Sequence, residues 1–140
     1  MIAIRGTEGY GAEVSGGAAA LAEVAFGIAA LARQGGGSWT VAARGDAGAG
    51  PYAAAAHALV VAVGEGPARV RWRGDGVLEA CGDPESLAVL ASFFEVPPDA
   101  SEGWHTHHEA YEGHAWIASD SLPLVVALRE ERPAHMGKPS

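Results

Sequence analysis

The chain repeats itself. Ile2-Ala3-Ile4-Arg5-Gly6 matches Val70-Arg71-Trp72-Arg73-Gly74 at an offset of 68, and Glu13-Val14-Ser15-Gly16 matches Glu79-Ala80-Cys81-Gly82 at 66. The offset of 66 also pairs Leu21-Ala22-Glu23-Val24-Ala25 with Leu87-Ala88-Val89-Leu90-Ala91. An offset of 65 then pairs Trp39 with Trp104, and Leu59-Val60-Val61-Ala62-Val63 with Leu124-Val125-Val126-Ala127-Leu128. Repetition limits the fold to one small unit used twice. The offsets drift only at turns, where insertions cost little.

Each unit reads as strand, turn, strand, helix, strand, loop, strand. Residues 2–5 and 12–15 flank a Gly-Thr-Glu-Gly-Tyr-Gly turn; residues 70–73 and 77–81 flank Gly74-Asp75-Gly76, where Asp-Gly is a hairpin signal. Leu21, Val24, Ala25, Ile28 and Leu31 recur at helical spacing over 18–33. The second helix has Asp83 at its N-cap, Pro84 at its first position and Glu85 in its first turn. Leu87, Leu90, Ala91 and Phe94 form its apolar face, and Val96-Pro97-Pro98 stops it. One stripe per helix suits packing across a sheet. The apolar runs 58–64 and 124–129 suit strands buried on both sides, or strands meeting across the two units.

Four strands and a helix give a thin core, so two fused units would each cover the other's open face. The expected fold is α+β: a duplicated ββαββ unit with an approximate two-fold axis, a mostly antiparallel sheet and two packed helices. Residues 1–66 form the first repeat, 67–131 the second, and 132–140 a flexible tail.

Charge and composition exclude several functions. The net charge is −8, with −1 on residues 1–70 and −7 on residues 71–140. Such a chain is a poor ligand for a phosphate backbone and a good one for a basic protein surface. No apolar run approaches the length of a membrane span, and Met1-Ile2-Ala3-Ile4-Arg5 lacks the form of a signal peptide. The single cysteine, Cys81, excludes an intramolecular disulfide. A cytoplasmic protein that binds neither nucleic acid nor membrane is expected, with its oligomeric state open.

The densest chemistry is Trp104-His105-Thr106-His107-His108-Glu109. On a strand, His105 and His107 project from one face and Trp104, Thr106 and His108 from the other. Glu112 and His114 follow in a loop. Two imidazoles on one face, joined by His114, are raw material for a metal site; the plainer reading is a solvated or interface strand. Ser38, Ser119 and Ser121 lack a nucleophile-elbow context, and Cys81 has no fixed basic neighbour. Gly-Asp-Ala-Gly-Ala-Gly at 45–50 leads into Pro51-Tyr52, as a flexible connection does. Trp39 and Trp104 read as core anchors. No catalytic set emerges, so neither enzyme nor cofactor is expected.

Gly82-Asp83-Pro84-Glu85-Ser86-Leu87, the histidine strand, and Asp120-Ser121-Leu122-Pro123-Leu124-Val125-Val126-Ala127-Leu128 together resemble a family of small immunity proteins of bacterial polymorphic toxin systems, the one numbered thirty-two. The resemblance covers residues 70–131, with His105 and His107 on the family's paired histidines and Ser121 and Leu124 on its terminal motif. Residues 1–66 share the layout without the histidines. The resemblance implies neutralisation of a cognate toxin by direct binding. The partner-binding residues expected on that basis are Trp104, His105, His107, His108, Glu109, Tyr111 and Glu112. The alternative is a small metal-binding protein or metal-dependent enzyme using His105, His107 and His114.

Overall fold

The computed structural model describes residues 1–7, 10–44, 54–112 and 114–130. They form β1 (Ala3–Thr7), β2 (Gly11–Gly16), α1 (Ala18–Gln34), β3 (Ser38–Ala42), β4 (Ala54–Ala56), β5 (Ala58–Val63), β6 (Arg69–Trp72), β7 (Val77–Gly82), α2 (Pro84–Ser92), β8 (His105–His108) and β9 (Leu124–Leu128). The glycine-rich connection at 45–50 and the tail at 132–140 lie outside the described residues, as do positions 8 and 9 of the first turn.

The class is α+β, as the pattern predicts, with two sheets where one was expected. One has the order β4-β1-β2-β9-β8 and the other β3-β5-β7-β6. Neither is built from one half of the chain. The β1–β2 and β8–β9 hairpins join through a parallel β2–β9 pair, and β3–β5 joins β6–β7 through a parallel β5–β7 pair. This explains the apolar runs: β5 and β9 are interior strands that pair across the halves.

The structure does not by itself establish the repeat, and strand register departs from two of the sequence pairings. Ile4 lies opposite Val14 and Val70 opposite Ala80, so with β2 set against β7 at 66 the register sets β1 against β6 at 66, not 68. Trp39 lies opposite Val61 and Thr106 opposite Val126, so Trp39 corresponds to Thr106, not Trp104. Identical residue types suggested the other matches, but hydrogen bonds decide register.

The helix starts act as expected, whereas α2 ends at Ser92, before the Val96-Pro97-Pro98 stop, and Phe94 is buried from the turn that follows it. The Asp83 carboxylate accepts from the Ser86 N–H at 2.8 Å and caps α2. At the far end of α1, Gly35 takes φ 81° and its N–H donates to the Leu31 carbonyl, a left-handed cap that favours glycine. Leu21, Val24, Ala25, Ile28 and Leu31 are buried, and so are Leu87, Leu90, Ala91 and Phe94. The helices pack on each other as well as on strands, α1 against β2, β3 and β5 and α2 against β7. One core cluster joins both helices to both sheets. Fully burying a residue such as Ile28 or Leu78 contributes about 1.5–3 kcal/mol.

Backbone contacts close the sheets onto each other. The Arg44 N–H donates to the Ile2 carbonyl at 2.8 Å, and Ala68 exchanges hydrogen bonds with the 116–118 segment. The Trp72 indole N–H reaches from β6 to the Gly11 carbonyl at 3.2 Å. No described helix is long and apolar enough to cross a membrane.

Candidate partner-binding surface

The histidine strand β8 is an edge strand, antiparallel to β9. A turn aims it: the Trp104 N–H donates to the Ser101 carbonyl, and Gly103 takes φ 97°. Alternation then divides the side chains as the sequence predicts. His105 and His107 are exposed, whereas Trp104 and Thr106 are half-buried and His108 is fully buried. The Thr106 hydroxyl donates to the Phe93 carbonyl at 2.8 Å, locking the inner face.

On the outer face the His105 and His107 rings meet edge to face, with centroids 5.0 Å apart. His105 Nδ1 lies 3.0 Å from the Gly103 carbonyl, and His107 Nδ1 lies 3.6 Å from Glu109 Oε1. In the loop beyond, Tyr111 is 68% exposed and its ring abuts His114 at 4.7 Å. The Trp116 N–H donates to His114 Nδ1, so His114 is committed to holding the loop. Pro67, Tyr111, Glu112, His114 and Ile117 line an open groove of about 490 Å³.

His108 is a correction. It has 0% exposure, sits edge-on to Phe93 at 5.0 Å, and neither ring nitrogen has a hydrogen-bond partner among the described residues. Burial in this apolar setting pushes its pKa from the usual 6.5 to about 4, so it is neutral at pH 7. A partner on the surface cannot touch it. The alternation already placed it on the inner face; only the density of histidines drew it into the surface set.

The metal reading finds its pair but not its third ligand. His105 and His107 come together, and among the described residues no group of three metal-ligating side chains forms. Pro67 and Ile117, on the groove wall beside Tyr111, were missed, because only the Ala68–Ile117 bridge brings those loop residues there.

The remaining residues of the motif serve the fold. A Cβ at Gly82 would lie 2.8 Å from the Ala68 Cα, Asp83 caps α2, and Leu87 and Leu124 are core. The Ser121 hydroxyl accepts from the Val70 N–H at 2.9 Å and donates to the Leu122 carbonyl, tying the last loop to β6. Beside it, the Arg69 guanidinium at 2.8 Å holds the Asp120 carboxyl below its usual range. Arg71 pairs across the hairpin with Glu79 at 2.8 Å. Comparison of the chain with family models, with curated proteins and with solved structures gives no match in any of the three.

Proposed function

We propose that this protein is an immunity-type protein that neutralises a cognate toxin by direct binding, without turnover. Its contact surface is His105, His107, Glu109, Tyr111 and Glu112, with Trp104 in support from the half-buried face. The observation that carries the reading is the contrast within the motif. Its glycine, aspartate, serine and leucines are used in folding, whereas His105, His107 and, in the loop beyond, Tyr111 stay at the surface. Exposed histidines on an edge strand and an exposed tyrosine in the loop beside it suit contact with a protein. Glu109 and Glu112 are exposed beside them, which favours a basic partner.

The test is co-expression with the toxin encoded beside its gene. Rescue of growth, with a complex recovered by pull-down, is expected. Tyr111→Ala and the His105→Ala/His107→Ala double variant are expected to weaken the complex at least tenfold, in the range of about 1.4 kcal/mol or more for a hot-spot residue. Failure of the intact chain to protect or to bind removes the reading.

A further inference from the structure

The four-stranded sheet has two edges of opposite character. One, β6, carries Arg69 and Arg71, both ion-paired, and its backbone is covered by the last loop: the Leu122 N–H donates to the Val70 carbonyl, and the Val70 N–H to Ser121. The other, β3, reads Ser-Trp-Thr-Val-Ala, with no charge and no proline. Charge, proline or a covering loop are the usual means of blunting an edge. Of the outer strands, β4 has only three residues and β8 carries the histidines. Among the described residues, only β3 is left unguarded.

Its free hydrogen-bonding groups can be assigned. The Val63 N–H donates to the Gly37 carbonyl, Trp39 lies opposite Val61, and the Ala43 N–H donates to the His57 carbonyl. Odd-numbered residues therefore bond inward to β5, and Ser38, Thr40 and Ala42 present N–H and C=O outward. At the far end Ile2 covers the edge, where it takes the Arg44 N–H. Ser38 and Thr40 have no hydrogen-bond partner for their outward groups among the described residues. Next to them lies an apolar groove of about 570 Å³ between β3 and α1, lined by Phe26, Gly27, Ala30, Trp39 and Val41 with Glu23 at its rim. Phe26 is 70% exposed, although it lies on the helix that forms the core.

We propose that a second copy of this chain adds to β3 in antiparallel fashion, with the two-fold axis at Trp39. The open stretch is chemically palindromic. In that register Ser38 faces Thr40 of the second copy and Thr40 faces Ser38. Four backbone hydrogen bonds form, all between outward-directed groups. Trp39 faces Trp39 in the non-hydrogen-bonded pair, where side chains approach most closely. Hydroxyl–hydroxyl and aromatic–aromatic pairs are favoured across strands, and this segment supplies both from its own sequence. The charge of −8, which opposes association elsewhere, is nearly absent here. Three residues of strand alone bury too little for a stable dimer, so Phe26 and the groove supply the rest of the contact. The pairing forms a continuous eight-stranded sheet, and it is independent of the binding reading above.

Sedimentation equilibrium on the full chain, from about 1 to 500 µM, reads the result as a mass moving from 14.2 kDa toward twice that value. Phe26→Glu and Thr40→Lys replace exposed side chains and are expected to weaken the dimer at least tenfold. Tyr10→Glu, at a residue 80% exposed in the turn between β1 and β2 of the other sheet, is expected to leave it unchanged. In the associated state the Ser38 and Thr40 amides should gain protection from hydrogen exchange. That reading stands even if Thr40→Lys fails to fold. A monomer throughout the range overturns the proposal, and so does a dimer that Phe26→Glu leaves intact or that leaves the Ser38 and Thr40 amides unprotected.

Discussion

Volume is exchanged between positions that the sequence offset and the strand register set against each other. Gly27 of α1 corresponds to Phe93 at the same offset of 66, and Trp39 corresponds to Thr106. The Trp39 indole lies where a Cβ on Gly27 would be, while in the other half Phe93 is large and Thr106 small. Likewise Gly6 and Trp72 hold equivalent places in their hairpins, and the Trp72 ring fills the space beside Gly6. Two opposing effects then meet at Gly27→Ala. Helix propensity favours alanine by about 1 kcal/mol, but the methyl displaces an indole in a packed contact, an overpacking cost of about 1–3 kcal/mol. A net loss of stability in urea unfolding is the expected result, against the propensity rule. His108 makes the opposite case. Because its buried nitrogens lack partners, His108→Leu should stabilise by about 1–2 kcal/mol, raising the urea midpoint at pH 7. Its pH dependence has a definite sign. The folded pKa of about 4 lies below the unfolded 6.5, so the unfolded chain takes up the proton first. Stability from neutral His108 is intact above pH 6.5 and falls as the pH drops from 6.5 to 4, by at most about 3 kcal/mol. The stability difference between wild type and His108→Leu, measured across that window, isolates this loss from the carboxylates, which both proteins share.

At the level of elements, local chemistry and tertiary contact divide the work. The start signals of α2 are local and read directly from residues 83–86, where Asp83 and Pro84 act within a few positions; its end is not, because the helix stops at Ser92, ahead of the prolines at 97 and 98. Asp83→Ala should lower stability by about 1 kcal/mol through loss of the cap, seen as a drop in Tm without change in the native circular dichroism spectrum. Gly82, one residue earlier, fails for another reason. Its Cβ would press on the Ala68 backbone, so Gly82→Ala should cost about 1–3 kcal/mol, although nothing local requires glycine there. The histidine strand was readable in the same partial way. Alternation gave the faces of His105, His107 and His108 correctly; exposure of Tyr111 and the groove beside it depend on Pro67 and Ile117, which are distant in sequence.

On the scale of the whole molecule, each sheet is shared. With β2 dependent on β9 and β5 on β7, a separated half keeps its hairpin and helix but loses its central parallel pair. Residues 1–66 or 67–140 alone should therefore show no cooperative thermal transition. Mixed in equal amounts, they should regain one, because the lost pairs form between separate chains as well as within one. Cooperative melting of either fragment alone would contradict this account.

Hydrophobic period, capping residues and turn chemistry act over a few positions, so the sequence alone determined both helices, the hairpins, the inner and outer faces of β8 and the α+β class. What lies beyond that reach was decided only when the chain closed: two sheets instead of one, an offset of 66 at β1, Trp39 matched to Thr106, and His108 sealed from solvent. These depend on hydrogen-bond register and on which distant side chain fills a given space. A sequence leaves such choices open, because several pairings bury the same apolar residues and only one also satisfies the backbone.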